Sequence, residues 1–371
     1  MVGQLKFIGL GLHSELGISL RGLDEAKGAD LVLAEFYTSL MPGLSSERLE
    51  RLLGKPVKVL SRSDVEETAE QTVLSEAKTK TVAFLVPGDP MAATTHLDLR
   101  LRAEKAGIKT RIIHGASVTS AVSSVIGLQN YKFGRTVTIP IVEAGTLTES
   151  PYDFIKENLY RGLHTLVLLD IKAEEKMYMT IPQALKQLLA IEEERRENVI
   201  TNRTLAVGVA RVGSEDITVK AGKVESLQLY DFGSPPHSIV IPGKLHFMEA
   251  EALQVLARAE RSDLQEHLGE VSCMIEDAKE RSRRYMAAVE TALSELKPIV
   301  MPAIIARRDV ERVVEVAKRY LSDSRYYGET GRDATSLASI SYAEGLLDAL
   351  RFLKLAEFSW PQELEAKTSK V

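Results

Sequence analysis

Residues 81–96 read TVAFLVPGDPMAATTH, an apolar, β-branched run that stops at Pro87-Gly88 and then sets one carboxylate, Asp89, before Pro90, a string of small residues and His96. The run has the length and composition of a buried strand, and the Pro-Gly pair ends it. In open α/β sheets, ligands bind at the carboxyl ends of strands, where neighbouring connections diverge. Two readings of the turn fit the letters: Asp89 and the threonines cap the next helix, or they face a ligand.

Working outward, the segments on both sides alternate strand with helix. Residues 4–9 (QLKFIG) form a short apolar strand that runs into Gly11, Leu12 and Gly17. Gly9 and Gly11 match the start of a GxGxxG loop, but Ser14 stands where the third glycine belongs, so a dinucleotide fingerprint is absent. A helix over 19–29, a strand over 31–36, a short helix over 48–53 and a strand over 57–60 follow. The polar stretch 64–78 reads as one helix with a solvated face. Beyond the opening stretch come a helix over 97–106, a strand over 110–114 and a small-residue helix over 117–126. This alternation predicts a parallel sheet covered on both faces. It brings the strand ends at 9–12, 87–92 and 116–118 together.

A second block holds strands over 136–142, 165–170, 205–210, 216–220 and 238–241, with helices over 152–161, 181–197 and 247–260. The close spacing of its last three strands predicts antiparallel pairing and a mixed sheet. Past residue 260 the periodicity turns helical, over 270–297, 303–321 and 335–355, with Pro298 and Pro302 between the first two, which predicts a bundle. The tail over 362–371 reads as frayed. The expected fold class is therefore α/β: two α/β domains, 1–126 and 127–259, and a C-terminal helical domain, 260–371.

A chain of 371 residues exceeds one ordinary domain. Its net charge of -5 gives no general attraction to nucleic acid or to an anionic membrane. The single cysteine, Cys273, cannot form an internal disulfide, and no Cys/His grouping has metal-ligand spacing. No signal-peptide pattern and no long apolar span are present, so a reduced, cytoplasmic setting is expected.

Five segments together carry a family resemblance: FIGLGL (7–12), AEFYTS (34–39), VPGDPMAATTH (86–96), RGLHTLVLLDIKAEEKMYMT (161–180) and FGSPPHSIVIPGKLHFMEAE (232–251). In this order and spacing, the chain over roughly 1–255 resembles the archaeal diphthine synthases, a branch of the tetrapyrrole methylase superfamily. The resemblance implies two α/β domains with a cofactor cleft between them and S-adenosylmethionine as the methyl donor. It further implies a homodimer that trimethylates the amino nitrogen of a 3-amino-3-carboxypropyl-histidine on translation elongation factor 2. Carried over by position, the implied cofactor contacts are Leu12, Asp89, Ala92, Ser117, Val118, Leu169, a residue in 210–212 (Ala210 or Val212) and His237. Ala92 and Val118 are expected to supply backbone or shape. Methylation of a corrin or porphyrin precursor, and a non-catalytic ribosome-associated binding protein, are the alternative functions. Residues 260–360 lie outside this resemblance. Their segments 320–327 and 343–350 resemble a small archaeal helical domain of unknown function.

Methyl transfer from a sulfonium is an in-line displacement that asks the protein mainly to align nucleophile and methyl group. An amine nucleophile must be neutral, and a dry cleft or a base would both serve. Neither a Ser-His-Asp device nor a metal is expected, and no catalytic residue is assigned. Ser117 reads as cofactor contact or plain helix cap, and His237, fixed by Pro235-Pro236, as ligand contact or structural histidine. His96 and His114 are expected to be satisfied packing or capping residues. Glu35, Tyr37, Asp170, Lys172 and Tyr178, near strand ends, are candidates for the protein-substrate side. Arg281, Arg283 and Arg284 read as a solvated helix face, and Asp323, Ser324, Arg325 and Tyr326 as a polar cluster ending a helix.

Overall fold

The computed structural model describes residues 3–142, 147–298 and 307–360. The expectations for the 362–371 tail, for Pro302 and for the side chains of Cys273 and Arg281 fall outside the described residues.

Five strands, β1 (Gln4–Gly9), β2 (Leu31–Glu35), β3 (Lys58–Leu60), β4 (Thr81–Val86) and β5 (Lys109–Ile113), form a parallel sheet in the order β3-β2-β4-β1-β5. Side chains alternate across a strand, and here both faces are apolar. Leu5, Phe7, Leu33, Val82 and Phe84 join one core, whereas Ile8, Leu10, Val32, Ala83 and Leu85 join another on the opposite face. From β2 the chain passes to β3 on one edge, and from β4 it passes to β5 on the other. The strand order thus reverses between β2 and β4, and a crevice opens at their carboxyl ends.

The stretch 64–78 is not one helix. It divides into Arg62–Glu66, a π-helical turn at Glu70–Leu74 and Ser75–Ala77. The Ser61–Asp64 capping box starts the helix early. The Thr72 hydroxyl then donates to the carbonyls of Asp64 at 2.5 Å and Thr68 at 3.0 Å, competing with the regular ladder. Val65, Ala69, Val73 and Ala77 still recur every fourth residue, and all four are buried in the core.

The second sheet holds β6 (Val137–Ile139), β7 (Thr165–Leu169), β10 (Leu205–Ala210), β11 (Thr218–Lys223) and β12 (His237–Ile241), in the order β11-β10-β12-β7-β6. Only β6 and β7 run parallel; β10, β11 and β12 pair antiparallel, as their spacing predicted. Two short strands, β8 (Ile171–Lys172) and β9 (Met177–Tyr178), make a hairpin that the sequence reading did not anticipate. Strand β11 begins two residues later than expected because the Ser214 hydroxyl and the Asp216 carboxylate close a turn ahead of it.

A buried carboxylate ties together the segments that flank the second sheet. Glu249 accepts from the backbone N–H groups of Gln129 at 2.9 Å and His246 at 2.8 Å, pairs with His164 at 3.0 Å, and meets the Lys132 ammonium. Burial pushes its carboxyl up, but those N–H donors and Lys132 outweigh burial and hold it at about 2.

The chain divides into two compact units, Met1–Asn158 with Leu163–His267, and Leu268–Val371 with Leu159–Gly162. Both sheets belong to the first. The helix Arg261–Glu295 begins in the first unit and ends in the second, where Arg307–Glu329 and Asp333–Phe352 follow. Ala317, Leu321, Ile340, Ala343 and Leu347 fill the core of this second unit. The cluster 323–326 lies within a helix and not at its end. Ser324 is buried and exchanges hydrogen bonds with Ser336, each hydroxyl donating to the other's carbonyl at 2.8 Å, while Arg325 pairs with Glu290. That network registers two helices against each other. Arg283 and Arg284 are exposed, as a solvated face requires. A two-residue pairing of Lys297–Pro298 with Ala356–Glu357 is a strand element the periodicity did not reveal.

Candidate active site

Three glycines let the strand ends of the first sheet converge. A Cβ on Gly9 would lie 2.5 Å from the Gly88 carbonyl and 2.6 Å from the Gly115 nitrogen, so only glycine permits the loops after β4 and β5 to close over the end of β1. Gly11 and Gly88 then exchange two backbone hydrogen bonds, at 3.2 and 2.7 Å. Both take positive φ, +79° and +68°.

This floor underlies a cleft of about 570 Å³ lined by residues of both sheets. From the first come Leu12, Tyr37 to Leu40, Pro87 to Asp89, Ala92 to Thr95 and Ser117 to Thr119; from the second, Thr138, Leu168 to Ile171, Val209, Val212 and Pro236 to Ser238. One wall is hydroxyl-rich and carries Asp89, and the other is largely aliphatic.

Asp89 is held by both oxygens. Oδ1 accepts the Met91 N–H at 2.9 Å, and Oδ2 lies 2.8 Å from Nδ1 of His114. The capping reading fails, since the helix His96–Lys105 carries no side-chain cap; the carboxylate organises its own turn through the Met91 N–H and borders the cleft. Ser117 caps the helix Val118–Ile126, its Oγ accepting from the Thr119 N–H and hydroxyl at 3.3 and 3.0 Å, and it also lines the cleft. His237 receives the Ile181 N–H on Nδ1 at 3.4 Å and donates from Nε2 to the Gly233 carbonyl at 3.1 Å. Burial pushes its pKa down, which keeps the ring neutral. With both nitrogens committed to backbone, the ring is a brace, and its faces and main chain border the cleft.

Of the nine residues singled out as cofactor contacts, Leu12, Asp89, Ala92, Ser117, Val118, Leu169, Val212 and His237 line this one cavity. Ala210 is fully buried inside β10, between Thr218 and His237 of its neighbours, and is not on the lining. The residue that shapes its surroundings is Arg211, which sequence reasoning passed over. At φ +55°, its buried guanidinium donates to the carbonyls of Phe232 at 2.7 Å and Ser234 at 2.6 Å, pairs with Asp216 at 2.8 Å, and so ties the Val212 and Pro236 walls together. An arginine closing an otherwise apolar strand was the available signal.

Histidine 114 departs from expectation. It is neither packed nor capping; its side chain is 74% exposed, and Asp89 is its ion-pair partner. His96 is a packing residue, fully buried at a helix start with Nδ1 3.2 Å from the Pro90 carbonyl, but it is only half satisfied, since its Nε2 has no hydrogen-bond partner. Its Nε2 stands 3.7 Å from Glu35. Glu35 is fully buried and not a surface for a protein substrate. Burial pushes its carboxyl up to about 7, while it holds the next turn through the N–H groups of Tyr37 and Thr38, at 2.9 and 3.0 Å. Tyr37 and Asp170 line the cleft, whereas Lys172 and Tyr178 lie in the β8–β9 hairpin.

A second cavity, of about 1030 Å³, adjoins the first through Leu12. His13, Glu15, Leu16, Arg48, Ala116, Gly213, Glu215 and Asp216 are among its lining residues. Leu12 packs so closely on Gly213 that a Cβ there would lie 2.7 Å from the Leu12 Cβ. Among the described residues, no group of three or more His, Cys, Asp and Glu could hold a metal ion. No described helix is long and apolar enough to cross a membrane.

The architecture has close known counterparts. The profile of the tetrapyrrole (corrin/porphyrin) methylases matches residues 4–228, and that of a protein of unknown function, DUF357, matches residues 284–356. A diphthine synthase from Methanosarcina mazei is 56% identical over 259 residues, 68% of this chain and 96% of that protein. One from Methanocella arvoryzae is 53% identical over 254 residues, 68% of this chain and 98% of that protein. A crystal structure of diphthine synthase superposes with a TM-score of 0.64 at 41% identity, covering 71% of this chain and 99% of that one. This chain belongs to the tetrapyrrole (corrin/porphyrin) methylase family, within its diphthine synthase branch, and is a methyltransferase of diphthamide synthesis.

Proposed function

We propose that the chain transfers methyl groups from S-adenosylmethionine, held in the 570 Å³ cleft, to the amino nitrogen of the 3-amino-3-carboxypropyl-histidine of translation elongation factor 2. The observation that carries this reading is the composition of the cleft, seen in a chain 56% identical to a diphthine synthase. Asp89 offers acceptors for cofactor hydroxyl or amino groups. The first amides of the helix Val118–Ile126, beside Ser117 and Thr119, suit a carboxylate. Leu169, Val209, Val212 and Pro236 give an apolar wall for a base. Ala210 contributes to this wall only as the strand beneath it.

When bound, the sulfonium supplies an activated methyl group and a neutral sulfide leaving group. The chain's own task is alignment and water exclusion: Leu12, which lines both cavities and packs closely on Gly213, borders the passage through which the substrate amine, placed on the second cavity's side, meets the methyl group. Three rounds on one nitrogen give the trimethylated product. A homodimer in a reduced, cytoplasmic setting is the acting form in this proposal, and the net charge of -5 favours a protein over a nucleic acid substrate. The chain is taken as three segments, 1–126, 127–259 and 260–371, with the last free to serve recruitment.

The test incubates the protein with isotopically labelled S-adenosylmethionine and unmethylated elongation factor 2, and reads the modified histidine by mass spectrometry. Methyl label on that side chain supports the proposal. Label on a tetrapyrrole precursor instead, with none on the histidine, refutes it.

A further inference from the structure

The amine proposed as methyl acceptor shares its carbon with a carboxylate, because the arm is a 3-amino-3-carboxypropyl group, and a carboxylate taken out of water needs a partner. We infer that Arg48, on the wall of the second cavity, receives the substrate's carboxylate and thereby sets the amine at the passage bordered by Leu12; the inference rests on the proposed amine substrate. Among the described residues that line this cavity, Arg48 is the only lysine or arginine. A planar guanidinium meets a carboxylate through two parallel hydrogen bonds, which fix orientation as well as balance charge.

The guanidinium is held in place before any ligand arrives. Its Nε–H donates to Glu15 Oε1 at 2.6 Å, and one Nη2–H donates to the Gly43 carbonyl. Those two bonds use two of the five N–H donors of an arginine, and three remain. The side chain of Arg48 is 52% exposed, whereas that of Glu15 is only 6% exposed, so the pair is anchored at its carboxylate end and open at its guanidinium end. Burial pushes the Glu15 carboxyl up, but the Arg48 hydrogen bond and backbone N–H groups outweigh burial and hold it below its usual range. Glu15 Oε2 also accepts the N–H of Ser45 at 3.3 Å, and Ser45 caps the helix Ser46–Leu53 that carries Arg48.

Hydrogen bonds also place Arg48 beside the passage. The Gly43 whose carbonyl it holds donates its own N–H to the His13 carbonyl at 3.1 Å, and a Cβ on Gly43 would run into the His13 ring. Two hydrogen bonds therefore link the guanidinium to the residue that follows Leu12, and Leu12 lines both cavities. Since carboxylate and amine sit on one carbon, an anchor for the first near Leu12 delivers the second to the methyl group.

The other charges of the cavity fit the same end group. Asp216 is already paired with Arg211 at 2.8 Å and accepts the Ser214 hydroxyl at 2.5 Å. Glu215 has no hydrogen bond or ion pair among the described residues. A fixed cation and an open carboxylate thus face one cavity, as a group that carries both signs requires.

The competing reading is that Arg48 only neutralises Glu15. The experiment therefore compares wild type with Arg48→Ala and with the double variant Glu15→Gln/Arg48→Ala, in which no buried charge is left unpaired. Calorimetry measures binding of elongation factor 2 with and without the 3-amino-3-carboxypropyl arm, in the presence of the demethylated cofactor, and separately the affinity for S-adenosylmethionine. Wild type is expected to prefer the factor that carries the arm. Both variants are expected to lose about 10- to 100-fold in affinity for that factor and as much in kcat/KM for its methylation. Binding of the unmodified factor and of S-adenosylmethionine is expected to stay within about twofold of wild type. Should Arg48→Ala fail to fold, the double variant carries the same reading. A folded Arg48→Ala protein with wild-type preference for the arm, or a double variant that regains it, overturns the inference. A loss matched by weakened S-adenosylmethionine binding overturns it too, because the carboxylate at Arg48 is then the cofactor's. If wild type leaves the elongation factor unmodified, the proposed function fails and the role of Arg48 falls with it; if wild type methylates and the variants keep its preference, the inference alone fails.

Discussion

Replacing Asp89 by alanine removes an acceptor that the structure has already oriented. Both oxygens are tied, one to the Met91 N–H and one to His114, so no rearrangement of the carboxylate is needed when a cofactor hydroxyl or amino group arrives. A hydrogen bond with one charged partner is worth a net stabilisation of about 1.5–3 kcal/mol. At about 1.4 kcal/mol per tenfold, the dissociation constant for S-adenosylmethionine should rise by roughly 10- to 150-fold. Asp89→Asn keeps the shape and one acceptor oxygen, and should weaken binding by only about 3- to 10-fold. Calorimetric titration with S-adenosylmethionine and with its demethylated sulfide product separates two ways the carboxylate can act. Directional acceptance weakens both ligands alike, whereas attraction to the sulfonium charge weakens the methylated one more. The fixed geometry of both oxygens leads us to expect equal losses. A folded Asp89→Ala protein with unchanged affinity for either ligand would refute the assignment of Asp89 to the cofactor.

Three further outcomes test the framework. Gly9→Ala forces a Cβ against the Gly88 carbonyl and Gly115 nitrogen, and denaturant midpoints should show a loss of about 1–3 kcal/mol together with weakened cofactor binding; unaltered stability would mean the three loops are not closed as described. Glu35 is raised from 4.5 to about 7 by burial, so its contribution to stability is full below pH 4.5 and is lost as pH rises through 7. Glu35→Gln should flatten stability across that window, a change of order 3 kcal/mol at its top, and an unchanged pH profile would contradict the burial of an ionisable carboxyl there. Glu249, held at about 2, stabilises the fold above pH 4.5 and loses that contribution as pH falls towards 2. Glu249→Gln leaves Lys132 without its buried partner and should cost about 3–5 kcal/mol in urea unfolding, against under 1 kcal/mol if the contact were a surface ion pair.

The fold was legible where one physical requirement governs many residues. A strand covered on both faces must be largely apolar, and TVAFLV declares that in its letters, while in QLKFIG the buried Lys6 is compensated by its ion pair with Glu25. The close spacing of β10, β11 and β12 likewise leaves little besides antiparallel pairing. Where single side chains decide the outcome, the letters said less. The π-helical turn at Glu70–Leu74 depends on what one threonine hydroxyl does to its ladder, and the wall at Val212 depends on a guanidinium that reaches carbonyls 21 and 23 residues away.

The pairing of Asp89 with His114 shows most sharply why the site outran the sequence. The two residues follow β4 and β5, which are not neighbours, since β1 lies between them. Adjacent strands stand about 4.8 Å apart, so the ends of β4 and β5 are separated by nearly 10 Å, and side chains on straight-running strands point off the faces of the sheet and not across the strand between them. Contact requires both chains to fold inward over the end of β1, and that space exists only because β1 ends in Gly9. A sequence reading set Gly9 in a failed dinucleotide loop, Asp89 as helix cap or cofactor contact and His114 as a packing or capping residue, each by itself. The three assignments are one constraint: a glycine that clears the way, a turn that aims a carboxylate across it, and a histidine that the carboxylate holds with its other nitrogen free. Gly9→Ala should therefore separate Asp89 from His114 and loosen the carboxylate that faces the cofactor, so that the folded variant binds S-adenosylmethionine more weakly in calorimetric titration; unchanged affinity in folded protein would refute the shared constraint.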